Sequence, residues 1–460
     1  MKVKTISRTE ETYCRKSKHD ITKVQKNRDP LLHPFERARE YTKALVATKL
    51  DKIFAKPFVY SLDGHTDGVY CASTVRASNV AFLSGSCDGE VKVWDLSQKT
   101  CVWSTIAHTG YVRGITPNET GSTFFTCSDD KTIKQWGLVV QSSSSSSSHG
   151  GFSNAHGDNG IIPLSTYMTN HAVLSIDHHW KDKQFATCGD VVSVWDESRN
   201  SEPVHSYKWG ADTVTSVKYN PAEATLLAST GNDRSVCLYD LRTSSPMTKF
   251  MLPMNSNKVV WNPMEPMNFI LANEDYNVYS FDMRKLDKAL MIHKDHVAAV
   301  MDVAFSPTGR EFATASYDKT VRIFKTSEGR SREVYHTKRM QRVFSVNYSN
   351  DAQFVFSGSD DTNIRVWKAK ASDSLGVSAG RMERKQQIHD TIKRRFAHMP
   401  EIKRINRDKK LPRVIKKMTK LKHDVASAAR KRTDNRKRHS NEGDHDVDPE
   451  RERVVVKKFT

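Results

Sequence analysis

This chain lacks most of what would announce an enzyme, a secreted protein or a membrane protein. It has no Gly-rich phosphate loop, no HExxH pair and no dinucleotide fingerprint. Gly85-Ser86-Cys87-Asp88-Gly89 has the outline of a nucleophile elbow, but an elbow needs a strand-to-helix turn, and the alternation on both sides here is that of two strands. His178-His179 beside Trp180 has no third ligand at helical spacing, so a loop is expected there rather than a metal site. No catalytic constellation, cofactor or metal is expected. The seven cysteines are odd in number and contain no CxxC pair, which excludes a simple disulfide framework and fits free thiols in a reducing compartment. No run approaches roughly 18 apolar residues, and MKVKTISRTEE lacks the apolar core of a secretory leader. A soluble intracellular chain with no membrane partner is the expectation, and the Asn118-Glu119-Thr120 sequon then carries little weight.

What is present is repetition. SDDTNIRVW, ending at Trp367, has near-copies ending at Trp94, Trp136, Tyr239 and Phe324. A turn Asp falls at Asp88, Asp130, Asp190, Asp233, Asp275, Asp318 and Asp361, at successive gaps of 42, 60, 43, 42, 43 and 43. The residues after each Asp alternate, as in Val91 and Val93 or Ile364 and Val366, with the period of a strand that has one buried face. Several copies follow the aromatic with Asp, as in Trp94-Asp95 and Trp195-Asp196. The 60-residue gap is accounted for by Gln141–Gly160, where seven Ser (Ser142–Ser148) lead into HGGFSNAHGDNG. That composition reads as a solvated loop between the second and third repeats, an insertion spanning about 141–165.

The repeats resemble the WD-repeat family, in which each copy supplies the four strands of one propeller blade. The fold class implied is all-β, a seven-bladed β-propeller at 58–370, with a short N-terminal helical arm at 1–57 and a basic α-helical extension at 371–460. In such rings the outer strand of the last blade comes from the N-terminal side, so 58–62 should pair with the blade at about 343–369 and leave no blade incomplete. The resemblance also implies a buried hydrogen-bonded chain in the better-equipped blades. In blade one it would join His65, a hydroxyl such as Ser84 or Ser86, Asp88 and Trp94. His108, Asp130 and Trp136 match in blade two, and His296 and Asp318 in blade six, where Phe324 replaces Trp. Blades three, four, five and seven lack the His, and Met-rich blade five is the weakest match.

Charge is uneven. Residues 1–57 carry 15 Lys and Arg against 7 Asp and Glu, and 371–460 carry 26 against 13, which leaves 58–370 at −2 of the total +19. A near-neutral body with two basic flanks is the asymmetry expected of a nucleic-acid or acidic-surface partner. From Pro34 the N-terminal flank turns helical, with Phe35, Ala38, Tyr41 and Leu45 at helical spacing. Either a helix packed on the propeller's side or a partner-binding segment fits this. In the C-terminal flank Ile388, Ile392 and Phe396 lie four apart, Pro400 ends the segment, and a second stripe of Val414, Met418, Leu421, Val425 and Ala428 follows. The cations around these stripes are Lys393, Arg394, Arg395, Lys403, Arg404, Arg407, Lys416, Lys417, Arg430, Lys431, Arg432, Arg436, Lys437 and Arg438. They suit RNA backbone contact, and with Phe396 as the sole aromatic of 371–438, base stacking is poorly served. A nuclear localisation signal and docking onto an acidic protein fit the same residues. The acidic end, Glu442 to Glu450, is a candidate cover for the basic helices.

Tyr239-Asp240-Leu241-Arg242 and Phe281-Asp282-Met283-Arg284 stand in consecutive blades. They resemble the aromatic-Asp-x-Arg motif by which some WD-repeat proteins dock a cullin-type ubiquitin ligase adaptor, with Arg242 and Arg284 as the contacts. An ordinary solvated Arg after a strand is the alternative. LHPFERAREYTKAL before the ring, with MPEIKRI, LPRVIKKM and ARKRTDNRKRHS after it, is similar to the Sof-one-type WD-repeat proteins of the small-subunit processome. That resemblance implies a nucleolar, nuclear scaffold, monomeric within a large ribonucleoprotein. Its partners would be processome proteins, box C/D small nucleolar RNP proteins, and the backbone of pre-rRNA or small nucleolar RNA. Animal relatives of this type are also classed among ligase receptors, and a general chromatin or signalling scaffold is a third reading.

Overall fold

In a computed structural model the described residues are 34–140, 152–153, 162–209, 212–243, 245–376, 380–439 and 450–459. The chain divides into two compact units, one of Phe58–Ala369 with Leu411–Thr460 and one of Met1–Pro57 with Lys370–Lys410. This grouping differs from a linear division at 57 and 370, because the C-terminal extension is shared between the units.

The larger unit holds seven antiparallel meanders, one for each turn Asp. Blade one runs Val69–Thr74, Ala81–Ser86, Glu90–Asp95 and Thr100–Ile106. Blade seven consists of Val343–Tyr348, Phe354–Ser359 and Ile364–Lys368, and its fourth strand is Phe58–Leu62, with Leu62 opposite Ile364 and Tyr60 opposite Val366. The expected ring closure is therefore the observed one. Second strands are buried throughout, as in Ala81–Ser86 and Leu226–Gly231, because each blade is covered on both faces by its neighbours. Fourth strands such as Thr100–Ile106 face solvent at the rim. The first strands line a central channel of about 800 Å³.

The turn Asp has a local reason. In the hairpin between second and third strands its carboxylate accepts the N–H two residues on, from Glu90, Thr132, Ser235, Asn277 and Thr320 at 2.9–3.0 Å. The residue between is left-handed in six blades: Gly89, Lys131, Arg234, Tyr276, Lys319 and Thr362 have φ between 64° and 85°. Only blade one uses glycine, and a Cβ on Gly89 would stand 2.0 Å from the His108 carbonyl oxygen.

The Ser142–Ser148 run lies outside the described residues. Its flanks place the insertion inside blade two, between the third strand Thr132–Gly137 and the fourth strand Ser165–Met168, rather than between blades two and three. The four cysteines Cys71, Cys127, Cys188 and Cys237 are buried free thiols, Cys101 is an exposed one, and Cys14 lies outside the described residues.

The smaller unit contains helices α1 (Glu36–Ile53), α2 (Gly380–Arg395) and α3 (Pro400–Arg407). The buried face of α1 is Ala44, Ala47 and Thr48; Phe35 and Ala38 of the expected stripe are exposed, and Tyr41 and Leu45 are half-buried. Small side chains on that face let the other helices approach closely. Tyr41 donates to Glu401 at 2.9 Å and packs 5.9 Å from Phe396, while Ile402 is fully buried.

The rest of the extension belongs to the larger unit. Helix α4 (Arg413–His439) sets Lys422 over Tyr276 and against the His296 carbonyl, on the face that carries the turn-Asp hairpins. Beyond it Lys457–Phe459 pairs antiparallel with Pro246–Met251, giving blade four a fifth strand. Val454 is buried in the cluster between blades four and five with Leu238, Phe250 and Phe281. Of the acidic end Glu442 to Glu450, all but Glu450 lies outside the described residues; Glu450 pairs with Lys294 of blade five, and Glu452 just beyond it lies 3.9 Å from Lys288.

Closure gives a direct test. Leu62 is 1% exposed among Phe82, Trp94, Phe356 and Val366, so Leu62→Ala should cost about 2–5 kcal/mol in urea unfolding, as a fully buried leucine does elsewhere.

Candidate functional site

The polar chain is complete in blade two. Trp136 Nε1–H donates to Thr126 Oγ1 (3.0 Å), the Thr126 hydroxyl donates to His108 Nε2 (2.8 Å), and His108 Nδ1–H donates to Asp130 (2.9 Å). The direction is forced, because an indole only donates and a carboxylate only accepts. In blade six His296 joins Thr314 (2.6 Å) to Asp318 (2.8 Å), and Phe324 ends the chain because it has no N–H.

Blade one departs from the expected set. Ser84 links Trp94 (2.8 Å) and His65 (2.7 Å), but the carboxylate facing His65 Nδ1 is that of Glu90, at 3.3 Å. Asp88 is taken up by the Thr66 hydroxyl and the Glu90 N–H. Burial pushes His65, His108 and His296 below the ordinary imidazole value, against the pull of their carboxylates. These groups are closed structural devices with no room for chemistry.

A further buried histidine lies outside the repeat pattern. His293, in the fourth strand of blade five, donates Nδ1–H to the Glu328 carbonyl (2.8 Å) and accepts from Ser280 (2.9 Å). Burial pushes its pKa down to about 4. His178 ends a strand and meets Glu197 at 2.7 Å, while His179 donates to the Ala224 carbonyl at 3.1 Å. Among the described residues no group of three His, Cys, Asp or Glu is placed to hold a metal, and no helix is long and apolar enough to cross a membrane.

Arg242 and Arg284 occupy equivalent positions at the ends of third strands in blades four and five. They lie on the face opposite the turn-Asp hairpins, and so opposite α4. Each guanidinium forks onto the Asp two residues before it, with Nη2 at 2.8 Å from Asp240 or Asp282, and yet is 74% or 69% exposed. That fork holds both carboxyls below the usual carboxylate range. The pairing fixes each side chain while leaving it exposed.

The basic residues fall in two places. Lys393, Arg394, Arg395, Lys403, Arg404 and Arg407 belong to the smaller unit. Lys393 is half-buried between Asp51 and Asp390, so it serves helix packing, and Arg395 bonds Glu40 at 2.6 Å. Arg394, Lys403, Arg404 and Arg407 are exposed. Lys416, Lys417, Arg430, Lys431, Arg432, Arg436 and Arg438 are exposed on α4, as is suitable for phosphate contact, and the Lys437 side chain lies outside the described residues.

Sequence reasoning missed a cluster at the channel mouth on the turn-Asp face. The Arg113 guanidinium lies 5.0 Å from the Tyr70 ring and 5.3 Å from Tyr111, and is forked onto Asp129. The Tyr70 ring lies tilted 5.7 Å from Phe344, Phe344 meets Tyr317 edge-on at 6.0 Å, and Arg342 lies 5.4 Å from Tyr317. This arginine–aromatic chain crosses blades two, one, seven and six, a form suited to gripping a protein segment. Its one legible signal is that Tyr70, Arg113 and Phe344 are each the second residue of a first strand.

Comparison with known proteins follows the same division. A family model described as WD domain, G-beta repeat, matches residues 56–95, 99–137, 201–240, 287–325 and 332–368, and one described as Sof1-like domain matches 369–455. The chain is 46% identical over 456 residues to DDB1- and CUL4-associated factor 13 of Xenopus laevis, covering 99% of each, and the human protein of that name has the same identity and coverage. It is 45% identical over 452 residues to Protein SOF1 of Saccharomyces cerevisiae, covering 95% of this chain and 91% of that protein.

The buried histidines set a pH dependence. Between about pH 6.5, where an unfolded imidazole titrates, and the His293 value of about 4, the unfolded chain binds a proton that the folded chain does not. Stability therefore falls as pH falls through this window, by up to about 1.4 kcal/mol per pH unit for this residue. Thermal unfolding from pH 7 to 4.5 should show a declining Tm, and His293→Gln should flatten the decline while lowering Tm at pH 7.

Proposed function

The chain belongs to the family of WD-repeat proteins with a Sof1-like domain, and from that membership we propose that it is a non-enzymatic ribosome-biogenesis scaffold of the nucleolar small-subunit processome. It acts in small-subunit pre-rRNA processing as a monomer within the particle, in the company of box C/D small nucleolar RNPs. The propeller offers protein-binding surfaces, the channel-mouth cluster among them, and the basic helices lie along RNA. The observation that carries this reading is the row of exposed cations on α4, Lys416 to Arg438, on a chain whose propeller is close to neutral. Their spacing supports backbone contact, and the lack of aromatics beside them argues against reading base sequence.

Cutting the chain at Ala371 would be a poor test, because it removes Val454 from the core and the fifth strand from blade four. Full-length protein with Lys416, Lys417, Arg430, Lys431, Arg432, Arg436, Lys437 and Arg438 changed to Gln keeps both. This variant should lose at least about tenfold in affinity for pre-rRNA fragments near physiological salt, and the slope of log K against log salt should shrink by about 0.7 for each phosphate that is no longer neutralised. Unchanged affinity and slope, with ultraviolet crosslinking that recovers no pre-rRNA or small nucleolar RNA, would sink the reading.

A second reading is favoured by the exposed arginine pair and by relatives named DDB1- and CUL4-associated factor 13: the chain is a substrate receptor of a cullin-type ubiquitin ligase. Arg242→Ala with Arg284→Ala should then abolish co-purification of the adaptor and leave thermal unfolding within about 0.5 kcal/mol of the parent, since both side chains are exposed. Adaptor binding that survives the double change would remove its basis.

A further inference from the structure

Along α4, Val414, Met418, Leu421 and Val425 recur at steps of four, three and four, the spacing that lines apolar side chains into one seam. They are 68%, 46%, 65% and 70% exposed. The helix meets the propeller with a different face, through Lys422 on the His296 carbonyl, and Ile415, seven residues before Lys422 on that face, is buried. The seam therefore plays no part in holding α4 where it is, and four large apolar side chains in a row stand in water on a helix of 11 Lys and Arg and 2 Asp.

We propose that this seam docks an acidic amphipathic helix of a partner protein. Lys417, Asp424 and Lys431 follow one another at seven-residue spacing along one flank of it, and the helix as a whole carries 11 Lys and Arg against 2 Asp. A net-acidic helix with apolar residues three and four apart would therefore satisfy both the apolar seam and the excess positive charge. RNA would leave the four apolar side chains uncovered. A second copy of α4 would set 11 cations against 11, and the flanks 1–57 and 371–410 are also basic. The acidic stretch 440–450 has one aliphatic residue, Val447, and cannot fill four positions. The four apolar side chains are distinct from the phosphate-contacting cations, but Lys417 and Lys431 belong to both surfaces, so the test reads the apolar positions alone and leaves every cation in place.

The test uses the full chain in cells with Leu421 replaced by photo-crosslinking p-benzoylphenylalanine. Adducts are purified under denaturing conditions, treated or not with nuclease, and mapped by mass spectrometry. A nuclease-resistant protein adduct is expected, joined through a net-acidic segment with apolar residues three and four apart. Adding Val414→Glu and Val425→Glu sets carboxylates against that segment and should cut the adduct by at least about tenfold, while Val414→Leu with Val425→Leu should keep it. An adduct digested by nuclease, one to lipid or to a second copy, one to a basic or neutral segment, or no adduct at all would overturn the proposal.

Discussion

Ring closure is the constraint on which the rest of this molecule depends. Without its fourth strand blade seven would be one strand short, and pairing Phe58–Leu62 with Ile364–Lys368 completes it, satisfying the third strand on both sides. The same pairing brings together two stretches about three hundred residues apart in sequence. Once strand 58–62 lies beside strand 364–368, residues 57 and 370 are neighbours, and the Lys56 N–H donates to the Ala371 carbonyl at 3.2 Å. The two basic flanks, remote in sequence, can then build one helical unit, stapled by Lys393 with Asp51 and Arg395 with Glu40. Glu40, Asp51, Asp390 and Glu401 are engaged within that unit, while Arg394, Lys403, Arg404 and Arg407 are exposed.

The C-terminal segment uses the ring in the opposite sense. Closure protects blade seven, but the fourth strand of blade four keeps an outer edge, and the last described residues pair with it. Val454 inserts between blades four and five, and Lys458 reaches Asp287 at 2.9 Å, in the loop that follows Arg284. The extension is thus anchored at both of its ends to folded structure, and α4 is held across the turn-Asp face by a few side chains. A helix with so narrow an apolar stripe would be marginal alone, and its neighbours at either end supply what its own sequence lacks.

The distribution of polar groups separates permanence from contact. Inside the blades polar residues are turned to one another: in blade two Trp136, Thr126, His108 and Asp130 form a complete chain, and blades one and six carry partial ones, so these residues are taken up within the fold. Outside, among the described residues of the larger unit, the arginine–aromatic chain at the channel mouth, the Arg242–Arg284 pair on the other face, and the cations and apolar seam of α4 are open to contact. The first and the last share the turn-Asp face, and the arginine pair lies on the face opposite.

The closing strand was legible in the sequence only through the resemblance to WD-repeat rings. The number of blades and the helical flanks were legible because each is encoded by local spacing: a turn Asp at gaps of 42 or 43 with one of 60, alternation after it, and apolar steps of three and four in the flanks. That spacing identified blades three and five, which lie outside the stretches matched by the repeat model. The partners of the polar residues were only half legible. Asp88 sits at the repeat's acidic position, yet Glu90 faces His65, because a side chain two residues on in an adjoining strand points back to the same place. His293 was invisible because no period marks it. The buried face of α1, the fifth strand of blade four and the channel-mouth cluster were decided by the tertiary structure alone. Each depends on which distant residues closure sets side by side, and local periodicity records only what a segment can bury, not what arrives to cover it.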